Sequence, residues 1–156
     1  AVRAPDMMST ILGAHFFATE YMTGLIWFVQ IVHYPLKRYV GREAFRSYQA
    51  QHTTRTGYVV IIPMMVELVT AIWLVIVPVA NIDQSAWFIG LLLVCVIWLS
   101  TLGFQIPAHS RLAEGFDAKS WIRLVRSNWI RTMCWSLRSI GLTWLLIDRG
   151  ILSVVT

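Results

Sequence analysis

The hydrophobic positions of the chain gather into four long apolar runs, at about 9–34, 57–80, 86–107 and 129–149, with cations and turn residues between them. Each run reaches the roughly 20 residues that a helix needs to cross the hydrocarbon core of a bilayer. Backbone polar groups in lipid must be satisfied within the segment, which selects helices, and alternating apolar–polar strand patterns are absent. The pattern predicts an all-α fold, an integral membrane four-helix bundle forming a single domain over 1–156. The second and third runs are joined only by NIDQS (81–85), which predicts a tight antiparallel hairpin with Pro78 at a helix end.

The other two connections have a helical period of their own. GREAFRSYQAQH (41–52) places Phe45, Tyr48 and His52 on one face, with Arg42, Arg46 and Gln49 turned mostly elsewhere. DAKSWIRLVRSNW (117–129) gathers Trp121, Leu124, Val125 and Asn128, turns Arg123 and Arg126 outward, and offers Asp117 as an N-cap. Both read as amphipathic helices at the membrane interface or leading into the next span. The two halves of the chain also share a rhythm of span, Gln–His ending, basic amphipathic stretch and second span, a hint of pseudo-symmetry.

Composition supports the membrane reading. Of 156 residues, 57% are hydrophobic and 13% charged, and there are 8 tryptophans, which favour membrane–water interfaces. The formal net charge of +5 does not point to nucleic acid, because the cations flank apolar runs and form no soluble basic face. They instead set the orientation. Lys37, Arg38, Arg42, Arg46 and Arg55 fall in one long connection, and Arg111, Lys119, Arg123, Arg126 and Arg131 in the other. Only Arg3, Asp6, Asp83, Asp148 and Arg149 fall on the opposite side. The positive-inside rule then predicts cytoplasmic connections and outward N- and C-termini. The opening AVRAPD has no cationic region leading into a cleavable apolar core, so no signal peptide is read there. Cys95 and Cys134 lie in apolar runs without metal-finger spacing and are expected as free thiols.

Three charged residues inside the runs need partners: Glu20, Glu67 and Arg138. At 1.5 Å per residue, Glu67 lies about 15 Å beyond Gly57 and Glu20 about 20 Å from His33, so both carboxylates sit near the bilayer middle. Arg138 shares a helical face with Arg131 and Trp135. A buried ion pair of Arg138 with Glu67 or Glu20 is therefore expected. The functional alternatives for these charges are a proton relay or a counter-ion to substrate.

The endings WFVQIVHYPLKR (27–38) and GFQIPAHSR (103–111) repeat a glutamine, a histidine and a proline. With His52, they bring three imidazoles to one cytoplasmic-side depth. This predicts either a transition-metal site, copper or iron, on His33, His52 and His109, or one haem b held by two of them. A second haem lacks ligands, since only His15 lies toward the outer side. Glu67 is a candidate carboxylate ligand, but on one straight helix it is about 22 Å from His52, so the two do not serve the same metal. Gln30, three residues before His33, and Gln105, four before His109, are the expected partners of the imidazoles, with Asn128 completing the ring. The plainer alternative is interfacial histidines bonded to headgroups or polar neighbours. No HExxH, GxSxG, P-loop or dinucleotide motif is present.

The runs FVQIVHYPL, YQAQHTTRTG, PMMVELVTA and QIPAHSRLAEGFDAKSWIRLVRSNWIRTMCWSLR resemble a group of bacterial four-span membrane proteins near the DUF1772-like family, whose relatives include anthrone-oxygenase-like sequences. The resemblance covers most of the chain, with HSRLAEGFD and SNWIRT its most distinctive parts. It implies a four-helix membrane bundle and supplies no ligand set. Residues and resemblance together leave three functions open. The first is a metal- or haem-dependent redox or oxygenase-like protein acting on a small hydrophobic substrate. The second is an accessory or assembly subunit that docks on other membrane subunits or forms a homo-oligomer. The third is a small transporter using Glu20, Glu67 and Arg138.

Overall fold

The computed structural model describes residues 4–80 and 82–151. Four long helices dominate it: α1 (Ala4–Phe28), α2 (Arg42–Ile76), α3 (Gln84–Ser100) and α4 (Ala118–Asp148). No strand occurs among the described residues. Each helix packs on its successor in the chain, and α4 packs back on α1, so the helices close into a bundle. Two of them, α2 and α3 with its continuation to Ala113, are long and apolar enough to cross a membrane. Arg3 and Asn81, used in the sequence reading, lie outside the described residues.

Helix ends follow local chemistry. Asp117 caps α4, its Oδ2 accepting from the Ser120 amide at 2.8 Å. Asp83 caps α3, its Oδ1 accepting from the Ser85 amide at 2.8 Å. Each thereby satisfies an otherwise orphaned amide of the first turn. At the other end of the hairpin, the Gln84 side-chain Nε2 donates to the Leu74 and Val75 carbonyls, which close α2. The amphipathic stretch at 41–52 is continuous with the second apolar run, giving a helix of 35 residues. The stretch at 117–129 likewise fuses with the fourth run in a helix of 31.

Two prolines reshape α1 and α3 in the same way. A proline within a helix lacks the N–H that would bond the carbonyl four residues back, and its ring crowds that carbonyl. Before Pro35 the chain widens into a π turn, Val29–His33, where the Tyr34 amide donates to the Val29 carbonyl. Before Pro107 it does so again at Thr101–Gln105, where the Ile106 amide donates to the Thr101 carbonyl. Beyond these turns run Tyr34–Leu36 with a 3₁₀ turn at Lys37–Tyr39, and the short helix Ile106–Ala113. The two repeated endings of the sequence are thus two π turns.

The interior is layered. One apolar cluster holds Leu12, Leu74, Val79, Ile82, Trp87, Leu142 and Leu146 at the hairpin end. A larger one, with Met22, Ile26, Phe45, Met64, Ile97, Leu112, Leu124 and Trp135, fills the other half. Between them lies a charged layer. Arg138 forms an ion pair with Glu67 at 3.1 Å, both side chains almost fully buried. Glu67 also accepts from Thr19 at 3.0 Å and from Trp135 Nε1 at 2.9 Å. Arg138 also donates to the Gly90 carbonyl, and to His15 Nε2 and Thr19 Oγ1 at 3.3 Å. Glu20 is not the partner of Arg138. It accepts from Ser139 at 2.7 Å and Thr143 at 3.4 Å, joining α1 to α4 through hydroxyls. Outward positions on all four helices are apolar: Phe17 and Phe28, Ile62 and Val69, Phe88 and Leu92, Leu137 and Ile140 are exposed.

Candidate functional site

The π turns deliver His33 and His109 to the end of the bundle where α2 begins, and α2 adds His52. His33 Nε2 lies 2.9 Å from His52 Nδ1, and the rings of His52 and His109 are 5.2 Å apart between centroids. Thr56 Oγ1 stands 3.0 Å from the same His52 nitrogen. Sequence spacing alone did not show that Tyr34, Lys37 and Gln49 join this cluster.

These residues form a directional chain of hydrogen bonds. As an ammonium, Lys37 Nζ can only donate, and it donates to Gln49 Oε1 at 2.7 Å. That fixes the Gln49 amide, whose nitrogen donates to His109 Nδ1 at 2.9 Å. A neutral His109 therefore carries its proton on Nε2, which donates to the Tyr34 hydroxyl oxygen at 3.1 Å. The Arg131 guanidinium lies near enough to the Tyr34 hydroxyl to act on it electrostatically. With His109 donating to the phenol oxygen, the Tyr34 hydroxyl hydrogen is left to donate elsewhere.

Two cations here have no counter-charge. Lys37 is fully buried, over the rings of Tyr34 and Tyr48 at 5.7 and 5.6 Å. Burial pulls its ammonium from the ordinary 10.5 down to about 7. Arg131 is buried beside Trp135, its guanidinium carbon 5.2 Å from the ring centroid, and its Nε has no hydrogen-bond partner among the described residues. Neither cation makes an ion pair among those residues. Arg131 lines a cavity of about 150 Å³ whose other polar walls are Tyr34, Thr53, Thr56, Thr101, Gln105 and His109. Met22, Leu25, Ile26, Val29, Val60 and Met64 make the rest apolar, and no carboxylate lines it.

The remaining sequence candidates divide. Gln30 does not bond His33. Its Oε1 accepts from Asn128 Nδ2 at 2.9 Å and its Nε2 donates to the Val125 carbonyl at 3.3 Å, which ties α1 to α4. The wider π turn explains this, because it rotates Gln30 off the face that an α-helix would share with His33. Gln105 lines the cavity with His109 but bonds Ser100 at 3.2 Å and Ser127 at 3.1 Å. Asn128 stands by Gln30, with its Oδ1 unpaired among the described residues. Glu67 is engaged in the charged layer with Arg138. Gln49, placed mostly away from the apolar face by the sequence reading, is fully buried. It sits four residues after Phe45 and three before His52, so its phase belongs to the buried face.

As they stand, no three His, Cys, Asp or Glu side chains among the described residues are arranged to hold one metal ion, and His33 and His52 are too close together to flank a haem iron. Both ring nitrogens of His109 already have protein partners. Axial nitrogens on opposite faces of a haem iron stand about 4 Å apart at bonds of about 2 Å. The 2.9 Å between His33 and His52 leaves no room for a porphyrin between them. That pair can still offer two adjacent nitrogens to a small ion, at about 90° for bonds near 2.05 Å. No protein-family model, curated protein or solved structure matches the chain.

Proposed function

We propose that the protein is a four-span membrane bundle that binds a small acid or acidic phenol at the cytoplasmic side, with the ligand's ring in the apolar part of the 150 Å³ cavity. The observation that carries this reading is Arg131, a buried guanidinium with no carboxylate partner on the wall of a cavity without acids. A buried charge without a partner is strongly disfavoured, and a ligand oxyanion supplies the partner. An apolar cavity of about 150 Å³ holds one benzene-sized molecule, which sets the ligand at a single ring. Arg131 holds the ionised oxygen, the Tyr34 hydroxyl donates to it, and His109 behind Tyr34 keeps that hydroxyl oriented. The apolar outer faces of all four helices support four spans, and the cation distribution supports cytoplasmic connections in the bacterial inner membrane. A redox or oxygenase-like step on such a ligand, the first of the functions left open by the sequence, would register as oxygen uptake with a phenolic substrate.

The test is thermal unfolding in detergent with benzoate or benzyl alcohol. Benzoate raises the midpoint of the wild type, benzyl alcohol raises it much less, and Arg131→Met loses the benzoate response. Tyr34→Phe, which keeps the ring, weakens the response in a protein that still folds. Equal responses to both compounds, or full response in Arg131→Met, overturn the proposal. The 2.9 Å approach of His33 and His52 favours a second reading, a copper or iron ion on this imidazole pair. Metal analysis of wild type against His52→Ala decides it, and no retained metal in either removes it.

A further inference from the structure

Beside the π turn Thr101–Gln105 an open hollow of about 430 Å³ lies on the outer surface of the bundle, lined by Phe104 and by Lys119, Ile122, Arg123, Arg126 and Ser127 of α4. Lys119, Arg123 and Arg126 are spaced by four and then three residues, so they share one face of the helix. All three are exposed, and none makes an ion pair among the described residues. Asp117 attracts Lys119 but is engaged at the helix cap by the Ser120 amide, and no carboxylate lines the hollow. Arg123 and Arg126 are thus left without a counter-charge. The Arg123 guanidinium carbon stands 5.4 Å from the Phe104 ring centroid, a cation–π contact that holds it over the apolar wall. Phe104 and Ile122 are themselves exposed, so the hollow is open to whatever surrounds the helices. By contrast, Arg46 donates to the Glu114 carbonyl, Arg38 lies over Tyr39 and Trp121, and Lys37 and Arg131 are buried.

Depth and charge together select the occupant. Arg126, Arg123 and Lys119 precede Arg138 along α4, and at 1.5 Å per residue they lie about 18, 22 and 28 Å from it. With the Glu67–Arg138 layer at the bilayer middle, the hydrocarbon ends about 15 Å out and the headgroups about 20–22 Å out. Arg126 and Arg123 then stand in the headgroup layer, and the long side chain of Lys119 reaches it from outside. A guanidinium fork matches a phosphate with two parallel hydrogen bonds. A zwitterionic headgroup would bring a cation of its own to this basic face, and a soluble phosphate would leave the Phe104 and Ile122 wall uncovered. An anionic headgroup with acyl chains meets both conditions. We propose that the hollow binds one anionic phospholipid of the cytoplasmic leaflet, with its phosphate on Arg123 and Arg126 and an acyl chain against Phe104 and Ile122. This inference rests on the four-span placement and is independent of the acid-binding cavity.

The experiment is native mass spectrometry of the full chain in neutral detergent, titrated with phosphatidylglycerol, with phosphatidylcholine, or with glycerol phosphate as the headgroup alone. Arg123→Gln/Arg126→Gln removes two cations of the hollow, and Arg42→Gln/Arg55→Gln removes two exposed cations of the other connection. All four side chains are exposed, so neither pair of substitutions disturbs the core. The expected result is one tightly retained phosphatidylglycerol, with phosphatidylcholine and glycerol phosphate held much more weakly. Its affinity should fall roughly 25-fold in Arg123→Gln/Arg126→Gln, about fivefold for each surface cation, and less than about twofold in the control pair, whose distance screens it. Equal losses in the two pairs would show diffuse charge attraction and overturn the proposal. Equal retention of phosphatidylcholine would remove the anion selection, and equal binding of glycerol phosphate would make the ligand a soluble phosphate; either overturns it. Extraction of membranes with alkaline carbonate separates the two readings. Release of the chain would overturn the four-span placement itself, whereas retention together with any of the failures above would overturn the lipid site alone.

Discussion

Removing the Glu67 charge tests the layer that joins the two apolar clusters. In Glu67→Gln the guanidinium of Arg138 keeps the Gly90 carbonyl, His15 and Thr19, but loses its only anion among the described residues. At 3.1 Å and an effective dielectric constant of 20, the lost attraction is about 5 kcal/mol. Breaking a buried pair by removing one partner destabilises by about 3–5 kcal/mol, which agrees. Solvent screening does not reduce this, because the two side chains are only 3% and 2% exposed. Arg138→Met is expected to fall at the lower end, since Trp135 and Thr19 still donate to the stranded carboxylate. The double variant should be less destabilised than the two singles added together, by about 1–3 kcal/mol. Reversible unfolding in mixed micelles, followed through midpoint and slope, gives all three values. Single variants within about 1 kcal/mol of wild type, or strict additivity, would refute the pair as the pin of the bundle.

Lys37 gives a pH signature. Its folded pKa of about 7 lies below its ordinary 10.5, so between these values the unfolded chain holds one proton more than the folded one. Stability should therefore rise with pH across that window and level off above it, with Tyr34, Tyr48, Gln49, His33, His52 and His109 as the facing groups. Lys37→Met should flatten the curve, and a slope that persists in that variant would move the effect to another group. Gln49→Leu strands both Lys37 Nζ and His109 Nδ1, and should lower stability by about 1–3 kcal/mol for each unpaired group in chemical denaturation. For topology, Asp83→Cys should react with an impermeant maleimide on intact cells and Arg42→Cys only after permeabilisation; the reverse pattern would invert the orientation.

The helices were legible because apolar runs of this length have few alternatives, and the caps at Asp117 and Asp83 fall where short acceptor side chains precede apolar periodicity. Helix ends were less so. Nothing between His52 and Gly57 interrupts a helix, and the change from amphipathic to wholly apolar sequence marks a change of surroundings without a break in the backbone. At the site, the three histidines are adjacent, but their partners were misassigned. Lys37 and Arg131 count among the topology cations, yet Lys37 follows His33 by four residues and Arg131 shares a face with Arg138 and Trp135. Their phase held the signal that they turn inward. α-Helical spacing pairs Gln30 with His33, but it cannot register the π turn Val29–His33 that contains both and ends two residues before Pro35.

Those two π turns set the angular phase of everything beyond them. Deleting one residue from Val29–His33 would restore an ordinary helix and swing the Tyr34–Lys37 segment by about 100° relative to the charged layer above. The Glu67–Arg138 layer would keep its alignment while the polar end lost its aim. Each proline thus works as a fixed clutch, allowing one end of a helix to be indexed independently of the other.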